Sequence, residues 1–123
     1  MAAPSLFLNA HVRRSFSAGE VIYSEGETGE HMYGVVSGAV ELRKGTTTVA
    51  TLREGDVFGE RALVDHLPRN VTAVATEASE LAEIDHALFL FLVHETPTFA
   101  LEIMSALAAR LRDYDNWIGQ RLQ

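Results

Sequence analysis

Cysteine is absent from the 123 residues, so the chain has no disulfide framework and no thiolate metal site, a usage that fits a reducing compartment such as the cytoplasm. Basic residues are few: 10 Lys and Arg stand against 17 Asp and Glu, a formal charge of −7. A broad nucleic-acid surface neutralises phosphates with many Lys and Arg side chains, so that class is excluded. An anion is bound here only by a focused local site. Long apolar runs are missing too. The longest, Ala87 to Val93, is far too short to span a bilayer, and the first ten residues lack the charged start of a secretion signal, so no membrane partner is expected. Repeats, low-complexity tracts and Pro-, Gly- or Ser-rich linkers are also lacking.

The signatures of catalysis are missing in the same way. No glycine loop precedes Lys-Ser or Lys-Thr, and no Ser-His-Asp or Cys-His pattern is visible. The five histidines, His11, His31, His66, His86 and His94, show no ligand spacing and read as isolated surface or loop residues. Neither an enzyme nor a metal nor a cofactor is expected.

What is present is a chain of one-domain size with 47% hydrophobic residues, enough for an ordinary core. From Val12 to Asp85, short alternating apolar segments are broken by glycine, the pattern of a many-stranded sandwich or barrel. Strands are expected over Val12–Phe16, Val21–Ser24, His31–Ser37, Ala39–Arg43, Thr47–Leu52, Asn70–Thr76 and Glu80–Asp85, with hairpin turns at Ser37-Gly38 and Lys44-Gly45. After His86 the period changes to helical. One short helix is expected over Ala87–His94, and a last helix starts at Thr96-Pro97, with Thr96 as its N-cap. In that helix Phe99, Leu101 and Ile103 are expected to bury against the barrel. Met104, Leu107, Leu111, Tyr114 and Ile118 form a heptad-like seam that suits either the barrel or a second copy of the chain.

The most informative stretch runs from Phe58 to Thr72. A Gly-Glu pair before a short apolar turn opens a helix whose first backbone N–H groups favour a phosphate, and Arg69 adds a charge-assisted contact. Glu60, acceptor-only when ionised, repels phosphate but accepts from a hydroxyl. Together the two suit a ligand carrying both groups close together, as a cyclised nucleotide does. The plainer reading of the same pair is an ion pair that holds this segment shut.

The wider pattern resembles the cyclic-nucleotide-binding domain family, the sensor of catabolite-activator-type regulators, nucleotide-dependent kinases and gated channels. The likeness rests on Phe16, Gly19, Ile22, Gly26, Tyr33, Val35, Gly38, Val40 and Leu42, followed by Gly55-Asp56, Phe58-Gly59-Glu60, Ala62-Leu63 and Pro68-Arg69. It implies a mainly β fold: a β-roll or jelly-roll barrel of about eight strands over residues 12–85, a phosphate-binding cassette over 58–72, and C-terminal helices over 86–123 that serve as lid and dimer helix, all in one domain spanning 1–123. It implies cAMP or cGMP as ligand, with Glu60 on the ribose 2′-hydroxyl, Arg69 on the cyclic phosphate, and Gly59, Arg61 and Ala62 offering amides. Phe58, Leu63, Asn70 and Val71 complete the expected site, with Leu63, Val71 and Ala73 as apolar walls. The family usually has Ser, Thr or Ala and then Ala after the arginine, so Asn70 and Val71 alter the phosphate end.

The resemblance also implies a regulator whose last helix caps the base with a residue from about Arg112 to Trp117, and which acts through a homodimer or an effector protein. A family transcription regulator continues into a helix-turn-helix, which this chain does not include, so DNA is not an expected partner. Met1 fits a complete chain, and an excised sensor fits as well. The competing expectation is a degenerate member that binds no nucleotide and serves as a scaffold. Arg69→Leu is expected to remove nucleotide affinity and leave the fold intact.

Overall fold

The computed structural model of the protein describes residues 12–121, without the side chains of Tyr114, Trp117 and Arg121. His11 and the chain start, read above for a signal, lie outside the described residues, as do the Tyr114 and Trp117 side chains. The order is β1 (Arg13–Phe16), β2 (Val21–Tyr23), β3 (His31–Ser37), β4 (Ala39–Lys44), β5 (Thr47–Arg53), β6 (Val57–Phe58), α1 (Arg61–Val64), β7 (Thr72–Ala75), β8 (Ser79–Asp85), α2 (His86–Glu95) and α3 (Thr98–Arg121). Two four-stranded antiparallel sheets, β1-β8-β3-β6 and β2-β7-β4-β5, face each other as a β-roll. Among the described residues, no single helix is long and apolar enough to cross a membrane.

The central strand β3 shows why two hydrophobic clusters form. Its side chains alternate between faces: Tyr33 and Val35 enter the barrel with Phe16, Leu42, Phe58 and Leu81, while Met32 and Val36 face the helices with Ile84, Phe99 and Ile103. A strand buried on both faces carries a continuous apolar run, as Met32 to Val36 does.

Several expectations change. Ser37-Gly38 is not a hairpin turn, because β3 and β4 belong to different sheets. It is a corner pinned by buried Ser79, whose Oγ accepts from Ala39 N (3.1 Å) and donates to Ala39 O (3.2 Å). Lys44-Gly45 is a true hairpin turn, with Lys44 opposite Thr47. Two-residue β6 was not foreseen, being too short to show alternation. Thr96 lies between the two helices, the last of which runs from Thr98. It closes α2, donating its N–H to Leu92 O (2.9 Å), and its carbonyl then accepts from Phe99 N (2.8 Å). Helix α2 itself starts at Asp85, whose carboxylate accepts from Leu88 N (2.8 Å).

On α3, Phe99 and Ile103 are buried as expected, but Leu101 is 63% exposed. Neighbours in sequence at positions 99, 101 and 103 cannot share one face of a helix, since each step turns by about 100°. Leu107 packs against the helix-facing cluster, whereas Met104 and Leu111 stand exposed.

Candidate functional site

The segment from Phe58 to Thr72 folds as the end of β6, the single turn α1, and a loop into β7. Strand pairing sets Phe58 opposite Tyr33, and their rings stack at 5.3 Å between centroids. Phe58 is therefore part of the barrel core and does not reach the cavity beside it. Ala62 and Leu63 are also buried, Leu63 in the helix-facing cluster, and neither lines that cavity; Ala73 lies wholly in the barrel core. The Ala62 amide is committed to Gly59 O (3.3 Å), while those of Gly59 and Arg61 donate to no backbone carbonyl among the described residues.

The cavity holds about 720 Å³, within the range of small-ligand sites. Gly59, Glu60, Arg61, Arg69, Asn70 and Val71 line it from the cassette, joined by Tyr23, Lys44 and the apolar Leu42, Val49 and Leu52. Helix α3 closes the remaining side with residues that include Ala106, Leu107, Arg110, Leu111 and Asp113; among the described residues of the expected base-capping region, Asp113 lines the cavity.

Arg69 is the centre of this arrangement. The loop after β2 clasps its backbone: Arg69 N donates to Glu27 O and Gly26 N donates to Arg69 O, both at 2.8 Å. Its guanidinium donates through Nη1 to Gly59 O (2.9 Å) and through Nη2 to His31 O (2.7 Å), and lies 4.0 Å over the Tyr23 ring. Two glycines admit it. A Cβ on Gly29 would stand 2.5 Å from Nη2, and one on Gly59, whose φ is +78°, would stand 2.9 Å from Nη1. The side chain is only 5% exposed, its Nε has no hydrogen-bond partner, and among the described residues no carboxylate lies within ion-pair distance.

That geometry removes the ion-pair reading of Glu60 and Arg69. Glu60 is paired instead with Arg110 of α3, through Nη2, and Arg110 Nη1 donates to Val57 O. Arg110 was not picked out in the sequence because its partners stand some 50 positions away, with no local signal. Tyr23, also missed, forms the floor under Arg69; burial pushes its phenol up to about 12, so it remains neutral and adds no negative charge to an anion site.

The site thus sets a buried guanidinium, with no carboxylate partner among the described residues, beside a largely apolar cavity that is also lined by the Glu60 carboxylate, itself paired with Arg110. The comparisons agree with that chemistry. Residues 13–96 match the family model described as cyclic nucleotide-binding domain. The cyclic AMP receptor protein of Thermus thermophilus is 35% identical over 115 residues, covering 89% of this chain and 53% of that protein. A cGMP-dependent protein kinase of Toxoplasma gondii is 36% identical over 71% of this chain, and that match covers 9% of the kinase. The crystal structure of the T. thermophilus catabolite activator protein superposes with a TM-score of 0.77 at 33% identity, covering 94% of this chain and 57% of that one. The chain thus spans about half the length of the Thermus protein and a small part of the kinase. With the roll, the cassette and the matched residues in agreement, the chain belongs to the cyclic nucleotide-binding domain family.

Proposed function

We propose that this domain is a regulatory sensor that binds cAMP or cGMP in the cavity between the roll and α3, with the cyclic phosphate at Arg69 and the ribose 2′-hydroxyl at Glu60. The observation that carries the reading is Arg69 itself. A guanidinium 5% exposed and, among the described residues, without a carboxylate partner is a charge held out of water and suited to an anion. The Gly59 and Arg61 amides and the Asn70 side chain supplement it, and Leu42, Val49 and Val71 supply apolar contact to ribose and base. The lack of cysteine favours the cytoplasm as its compartment.

Thermal denaturation with and without cAMP or cGMP tests this. Ligand at 100 times its dissociation constant stabilises by about 2.7 kcal/mol, which for this size raises the melting temperature by roughly 10 °C. No shift with either nucleotide at millimolar concentration would favour the scaffold reading, to which the Arg110–Glu60 pair lends weight by filling the ribose-side carboxylate.

That pair also suggests the output. Arg110 joins α3 to the cassette at the atoms a ribose hydroxyl would engage, so ligand must share or displace it and α3 must respond. The exposed residues Leu101, Met104 and Leu111, spaced three and seven apart, give α3 a face for a second copy or an effector protein. Light scattering of the parent beside Leu111→Asp checks the homodimer: a dimeric parent and a monomeric variant are expected, and two monomers would remove it.

A further inference from the structure

We infer that Lys44 is a second phosphate-side residue of this cavity, its ammonium donating to the nucleotide phosphate from the rim while Arg69 contacts it from below. The inference rests on the cyclic-nucleotide reading of the site. Lys44 closes β4 and lines the same cavity as Arg69. Its Nζ donates to Asn70 O at 3.1 Å, which puts the ammonium beside the residue that follows Arg69. Its second contact is to Glu25 Oε2, at 2.9 Å. An ammonium has three N–H groups, so one remains uncommitted among the described residues.

The loop after β2 organises both cations. Glu25 holds Lys44 and accepts also from Gly45 N (3.4 Å), its own N–H donates to Thr72 Oγ1 (3.0 Å), and Gly26 and Glu27 hold the Arg69 backbone. Lys44 hydrogen bonding draws the Glu25 carboxyl below its ordinary range, in keeping with a close pair. The chain carries Asn70 where the family pattern has a small residue, so the phosphate end is changed. A cation on the facing hairpin supplies the contact from another direction. Since the Lys44 side chain is 59% exposed, its effect is that of a rim charge, acting on encounter rate and salt dependence more than on the buried contact.

Titration calorimetry with cAMP and with cGMP, at low and high salt, tests this on the parent, Lys44→Met, Lys44→Arg and Glu25→Gln. Lys44→Met is expected to weaken binding about three- to tenfold at low salt and to flatten the salt dependence, with Lys44→Arg restoring both. Glu25→Gln keeps the shape of the tie but releases the ammonium, so it is expected to bind at least as tightly as the parent. If Lys44→Met binds like a nucleotide-binding parent with the same salt slope, Lys44 does not touch the ligand and the function stands without it. Equal weakening by Glu25→Gln and Lys44→Met would show that the hairpin tie matters and the charge does not. A parent that binds neither nucleotide overturns both the function and this inference.

Discussion

Arg69→Leu is expected to weaken cyclic-nucleotide binding by at least about a hundredfold, the loss of two charge-assisted hydrogen bonds worth roughly 1.5–3 kcal/mol each. The same change is expected to lower stability, contrary to the reading from sequence that the fold would be untouched. The guanidinium is not an appendage facing solvent. It joins Gly59 O, His31 O and the Tyr23 ring, and so ties β6, β3 and β2 together. Two opposing effects set the size of the change. Leucine takes a donor from His31 O and leaves Gly59 O with only the Ala62 amide at 3.3 Å, at roughly 1–3 kcal/mol for a carbonyl left unsatisfied, and it loses the contact with the Tyr23 ring; removing a buried cation without a counter-charge offsets part of that loss. The net expectation is a loss of about 1–3 kcal/mol, read as a melting point several degrees lower with the transition still cooperative. Arg69→Lys keeps the charge but cannot span both carbonyls, so it falls between parent and Leu in affinity. Calorimetric titration on the folded variants decides the matter: affinity for Arg69→Leu within threefold of the parent would place the anion elsewhere.

The parts of this architecture that were legible in sequence are those set by local rules. Alternation located seven of the eight strands to within a few residues, helped for β1 to β5 by the glycines that mark their turns. Glu60 and Arg69 were legible because a Gly-Glu turn and a following arginine form a local unit. What was not legible depends on distant contacts. Whether Ser37-Gly38 folds back or crosses to the other sheet is decided by which strands β3 and β4 pair with, and the turn residues are compatible with both. Phe58 and Leu63 share the cassette with the cavity residues, yet face the two cores, and Ala62 is buried away from the cavity, since a strand end and a helical turn must each bury one side. Gly29 looks like any loop glycine until Arg69 lies against it. Arg110 and Lys44 reach the site from a helix and a hairpin that meet only in the fold.

Phe99→Ala carries the largest expected stability loss, about 3–5 kcal/mol, because a wholly buried aromatic is removed from a packed interface. Phe99 sits in the first turn of α3, its ring 5.7 Å from that of Phe89 and clustered with Met32, Val57 and Ile84, so it anchors the helix to the roll. Arg110 lies three turns further on and makes the other attachment, to Glu60 and Val57 O. The two differ in kind. The ion pair is about a quarter exposed on both sides, so Arg110→Gln is expected to cost no more than about 1 kcal/mol. Chemical denaturation of the two variants separates these magnitudes, and a loss under 1 kcal/mol for Phe99→Ala would mean that α3 is not docked as described. Hydrogen exchange over residues 104–113, with and without nucleotide, then tests transmission. In the parent, ligand is expected to change the protection of this stretch; in Phe99→Ala the detached helix is expected to be unprotected in both states, with a ligand-dependent melting shift persisting. In Arg110→Gln the helix stays docked by Phe99 but no longer senses Glu60, so the shift in protection is lost with the helix still protected. That outcome would separate anchoring by Phe99 from the proposed sensing by Arg110 on the same helix, since only the second is expected to depend on ligand.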